Sequence, residues 1–151
     1  MQRRQTNPRQ WLIVQRGEDR LNRISRRRLK RGSGLLLLRR PSRAAMLQLR
    51  LFARGRGLRI VVEEPRTAIR IHSLPELRCA LLRRMPLILL SPIFETSSHP
   101  GWQPIPRMRA AALARLGSRQ LLALGGMNHR RYAIVAPLGF TGWAGISAFR
   151  T

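Results

Sequence analysis

Three short stretches carry residue types that could do chemistry. "IHSLPE" (71–76) sets His72 at the end of an apolar run, just before Ser73 and four residues before Glu76. "SPIFETSSHPG" (91–101) follows the run "PLILL" and crowds Glu95, Thr96, Ser98 and His99 into one segment. "ALGGM" (123–127) and "GWAGISAF" (142–149) end apolar runs in Gly125, Gly126, Ile146 and Ser147. In an α/β protein the carboxyl ends of strands are where chemistry sits. A positioned imidazole that titrates near neutrality suits moving a proton on a heterocycle, worth about 10²–10⁴ in rate. Glycine at a strand end lets backbone N–H groups approach a phosphate closely, and the start of a short terminal helix at Ile146 and Ser147 offers more of them. Each stretch also has a plainer reading. Ser73 and Glu76 fit a capping box that starts a helix, which is compatible with a role for His72 because the box would orient its loop. Gly125 and Gly126 alone fit a tight turn with Asn128 as helix cap.

The elements that must position these residues are legible as alternating runs. Strands are expected at 11–15, 34–38, 58–62, 68–72, 87–91, 121–125 and 142–146. Most are apolar on both faces, as buried parallel strands are. Helical spacing appears in "RLNRISRRRLKRGSG", "SRAAMLQLRLFARGRG", "LPELRCALLRR", "IPRMRAAALARLGS" and "NHRRYAIVAPLG". Strand and helix in alternation predict a parallel α/β fold. One spacing breaks the rhythm: only "EEPRT" separates the third and fourth strands, whereas a parallel crossover needs about 10–12 residues. Either these strands form a hairpin or a βα unit is missing. The expectation is a single domain over 1–151, a TIM-type (β/α) barrel that is incomplete, with about seven strands and one βα unit missing after the third. It includes a basic N-terminal arm of about ten residues. Unpaired edges at such a gap invite a homodimer, unless a hairpin across "VVEEPRTAIRI" closes it.

The charge is unusual. Thirty cations face six carboxylates, for a net charge of +24, and 29 of the cations are arginine. Residues 1–59 hold +16 of this and residues 60–151 hold +8. Arginine forks match phosphate geometry, so a polyanion or nucleic-acid binder is one reading. Arginine stems covering a barrel are another: the first helix has a thin apolar face of Leu21, Ile24 and Leu29. Aromatics make up 5% of the chain, and Trp11, Trp102 and Trp143 stand apart from the arginine runs, which argues against a single-strand binder that stacks bases. The single Cys79 allows no internal disulfide and fits a cytoplasmic setting. One Cys and three scattered His give no zinc spacing. No run reaches the roughly 20 apolar residues of a membrane span, and "MQRRQTNPRQ" lacks the apolar segment of a secretory signal.

From Ile71 onward the ordered motifs "IHSLPELRCA", "LLSPIFETSSHPG", "LALGGM" and "GWAGISAF" resemble the thiamine phosphate synthase/TenI family of TIM barrels. The resemblance covers about half the chain. It implies an enzyme of thiamine biosynthesis that binds thiazole phosphate at the carboxyl mouth of the barrel. Thr96 and Ser98 would contact the thiazole and its phosphate, and Gly126, Ile146 and Ser147 would hold the phosphate. His72 would take the proton-transfer role of the thiazole tautomerase branch. Arg39 and His99 would stand at pyrophosphate positions, His99 in place of a lysine.

The chain departs from the synthase pattern elsewhere. Where that pattern has Gln-x-Arg-x-Lys, the second strand ends "LLLLRRPS", so Leu37 and Pro41 stand for Gln and Lys. The third ends "VVEEP", leaving Glu63 and Glu64 as the carboxylates for the Mg²⁺ that coupling to hydroxymethylpyrimidine pyrophosphate requires. The expected activity is therefore synthase or tautomerase, with a catalytically degenerate phosphate-binding barrel as the alternative.

Overall fold

The computed structural model describes residues 7–15, 21, 23–117 and 121–149, with the side chains of residues 23 and 24 outside that description. Most of the expected basic arm (1–6) lies outside the described residues. Seven strands form: β1 (Gln10–Val14), β2 (Gly34–Leu37), β3 (Arg59–Val62), β4 (Ala68–Ile71), β5 (Leu87–Leu90), β6 (Leu121–Ala123) and β7 (Gly142–Gly145). Five helices accompany them: α1 (Arg23–Arg28), α2 (Arg43–Arg56), α3 (Leu74–Leu82), α4 (Arg107–Gly117) and α5 (His129–Val135). All strand pairs are parallel, in the order β3-β2-β1-β7-β6-β5-β4. This is a TIM-type barrel that curls but does not close.

The gap lies where the sequence places it. β3 and β4 are the two edges of the sheet. The hairpin is overturned: the two strands share no ladder, and the five residues between them make a turn instead. Thr67 holds that turn, its N–H donating to the Glu64 carbonyl at 3.0 Å and its Oγ1 accepting from the Glu64 N–H at 3.0 Å. So short a link leaves no room for the helix that a crossover to a paired parallel neighbour requires.

Two apolar layers explain strands that are hydrophobic on both faces. Alternate residues point to opposite sides of a strand. Trp11, Ile13, Leu36, Leu87, Leu89, Leu122 and Ala144 form one buried cluster drawn from strands alone, the barrel interior. Leu12, Val14, Leu35 and Leu37 join Leu49, Leu77 and Leu113 of the helices in the other. Trp11 is fully buried and donates its indole N–H to the Pro8 carbonyl at 2.9 Å. Its ring decides Gly34: a Cβ there would lie 2.1 Å from the indole. Helix starts follow local chemistry. Ser42 caps α2 through Ala45 N–H, Ser73 caps α3 and Asn128 caps α5. Of the thin apolar face expected for α1, Leu21 and Leu29 are buried. No helix of the described residues is long and apolar enough to cross a membrane.

Candidate active site at the carboxyl ends of the strands

A cleft of about 140 Å³, partly open to solvent, lies where six of the seven strands, all but β3, end on their carboxyl side. His72 and Arg70 come from β4, the segment Ser91–Trp102 from β5, Gly125 and Gly126 from β6, and Ile146 and Ser147 from β7. Of the residues named from the sequence, His72, Thr96, Ser98, His99, Gly126, Ile146 and Ser147 all line it.

His72 is held from two sides. Its backbone N–H donates to the Glu76 carboxylate at 2.6 Å, and Ser73 Oγ accepts from the Glu76 N–H at 3.5 Å. The capping box therefore forms, with the carboxylate reaching one residue further back, to His72 itself. The imidazole Nδ1 lies 2.7 Å from the Ser91 carbonyl oxygen. A carbonyl only accepts, so the neutral ring carries its proton on Nδ1 and keeps its lone pair on Nε2. Trp102 sets an edge against this ring, with centroids 5.4 Å apart, and a tilted face against His99 at 4.8 Å.

The glycine pair has a packing cause that the sequence does not reveal. Gly125 and Gly126 have φ of +95° and +59°. A Cβ on Gly126 would meet the Glu95 carbonyl oxygen at 2.2 Å, and one on Gly125 would meet Pro92 Cα at 2.8 Å. The loop after β6 thus packs directly on the loop after β5. Ile93 and Phe94 N–H groups donate to the Leu124 and Gly125 carbonyls at 2.9 and 3.1 Å. Arg131 donates to the Gly126 carbonyl and lays its guanidinium over Phe94, 4.9 Å from the ring centre. Two walls of the cleft are therefore one packed unit.

Arg39, Glu63 and Glu64 do not line this cleft. Arg39 is exposed beyond the end of β2, where Leu38 takes the inward position. Glu64 pairs with Arg40 at 2.6 Å and Glu63 with Arg70 at 2.8 Å. The two carboxylates thus turn to different arginines, and no cluster of three metal-ligating side chains occurs among the described residues. Ile13, Gln15, Leu38, Arg70 and Trp102 also line the cleft and lie outside the motifs. Arg70 was legible in principle, because it stands two residues before His72 on one strand and so faces the same side.

No family model matches the chain. A protein of Aquifex aeolicus (strain VF5), provisionally named thiamine-phosphate synthase 2, is 37% identical over 78 residues. A solved thiamine phosphate pyrophosphorylase from Pyrococcus furiosus superposes with a TM-score of 0.74 at 15% identity, over 95% of this chain and 88% of that one. Over about half its length the chain is similar to a thiamine-phosphate synthase. The sequence match spans 52% of this chain and 42% of the Aquifex relative's length, so the chain matches less than half of that relative. The structural likeness is a likeness of fold.

Proposed function

We propose that the protein binds thiazole phosphate, or a closely similar phosphorylated heterocycle, at this cleft and moves a proton on it. The observation that carries the reading is the convergence of His72, Thr96, Ser98, Gly126, Ile146 and Ser147 on one cleft. Backbone N–H groups and small hydroxyl side chains from the loops after β5, β6 and β7 would receive the phosphate, while Trp102 shields the heterocycle from water. His72 Nε2 takes a proton released from one ring position and returns it to another. The Ser91 carbonyl holds Nδ1–H throughout and stabilises the imidazolium between the two transfers.

Tautomerisation fits these residues better than coupling to a pyrimidine pyrophosphate. Coupling needs a metal and a pyrophosphate cradle, and Arg39, Glu63 and Glu64 lie outside the cleft. Mg²⁺ enters only if synthase activity is retained. Isothermal titration with thiazole phosphate on the wild type and on Ser147→Arg tests the reading. Saturable binding that falls at least about tenfold in the variant is expected, because the added side chain fills the phosphate end. Absence of binding to the wild type would remove the thiazole ligand.

A further inference from the structure

The cleft accounts for none of the charge on the other side of the molecule. Between Leu21 and Val62 the chain carries thirteen cations and no carboxylate. Eight of these cations lie on α1 and α2, at positions 23, 26, 27, 28, 43, 50, 54 and 56. Phe52 receives two guanidinium groups, Arg26 at 5.3 Å and Arg56 at 5.1 Å from its ring centre. Arg56 also donates to the Arg26 and Leu29 carbonyls, and Arg31 donates to the Gly55 carbonyl at 3.4 Å. These partners are neutral, so they fix the guanidinium groups in place without cancelling their charge. On α2, Arg43, Arg50 and Arg54 follow one another at helical spacing, and all are exposed. The described carboxylates are committed elsewhere: Glu63 and Glu64 to Arg70 and Arg40, Glu76 to His72, with Glu95 in the loop after β5.

We infer that the α1–α2 face binds the sugar–phosphate backbone of a nucleic acid duplex, independently of its sequence. Fixed guanidinium groups that no described carboxylate of the face neutralises attract a regular array of phosphates and release its condensed counterions. Trp102, the exposed tryptophan, lies at the cleft and away from this face, so base stacking has no platform here. An anionic bilayer fits less well. The apolar side of α2 (Met46, Leu49, Phe52, Ala53) is packed on the core, and Leu47 and Leu51 alone remain exposed among arginines.

Anisotropy of a labelled mixed-sequence duplex of about 20 base pairs, titrated between about 50 and 200 mM KCl, tests the inference. The variant Arg27→Gln/Arg50→Gln/Arg54→Gln removes three exposed charges from the face. Arg107→Gln/Arg109→Gln/Arg115→Gln removes three exposed charges from α4. The first should weaken binding at least about tenfold and lower the log–log salt slope by about 2–3, whereas the second should change affinity less than about threefold. Circular dichroism confirms that both variants are folded. Equal losses in the two variants would overturn the inference, because net charge and not the face would then bind. So would the absence of wild-type binding at the lowest salt, or tighter binding to phosphatidylserine vesicles that the first variant abolishes.

Discussion

His72 shows how one side chain acquires a defined protonation pattern from its neighbours. The Ser91 carbonyl takes Nδ1–H and the Glu76 carboxylate takes the backbone N–H, so ring and main chain are each anchored. His72→Ala should lower turnover by about 10²–10⁴ and leave thiazole phosphate affinity within about threefold, as kcat and calorimetric Kd would show. A comparable collapse of affinity would make His72 a binding group instead. Tyr132 gives a second prediction. Burial raises its pKa above the ordinary 10.0, against an opposing pull from the Arg9 charge. The folded state thus prefers the protonated phenol, so its contribution is complete below about pH 10 and is lost as pH climbs through the raised value. Unfolding measured across alkaline pH should show that decline, and Tyr132→Phe should flatten it.

At the scale of elements, two glycines of identical composition have opposite futures. Gly34 lies against the Trp11 indole, while nothing stands within 4 Å of a Cβ on Gly55 inside α2. Gly34→Ala should destabilise the fold by about 1–3 kcal/mol through overpacking. Gly55→Ala should stabilise it by about 0.5–1 kcal/mol through helix propensity. Urea unfolding of the two variants checks both signs. The same contrast explains what sequence reading could reach. The strands were legible because a strand buried on both faces is a continuous apolar run, as "GLLLL" and "LILLS" are. The capping box at Ser73 was legible because its spacing is local. Arg39 stands outside the cleft because strand alternation gives the inward place to Leu38. The pairing of Glu63 was not legible because its partner, Arg70, comes from the opposite edge of the sheet. The packing of Gly126 on Glu95 depends on two loops meeting in space, and no spacing within either motif records it.

For the whole molecule, the open edges and the charge oppose each other. β3 and β4 present backbone groups without a strand partner, which favours pairing between copies. A net charge of +24 on each copy resists that approach. The Debye length falls from about 10 Å at 0.1 M salt toward about 3 Å at 1 M, so screening should release the association. Light scattering is expected to report a monomer at low salt and a growing dimer fraction as sodium chloride rises. A dimer that dissociates on adding salt would show instead that ion pairs, not edges, hold the copies together.

The strand order has a consequence for how the chain reaches this state. β1, β2 and β3 form one wing and β4, β5 and β6 the other, and each wing is continuous in sequence. Within the sheet they are joined by β7, which pairs Gly145 with Leu12 on one side and Gly142 with Leu122 on the other. On the ribosome both wings emerge before the strand that unites them. Until β7 is free of the exit tunnel, the nascent chain is two half-sheets with their inner edges bare, and a chaperone that shields β1 and β6 would meet it at its most vulnerable moment.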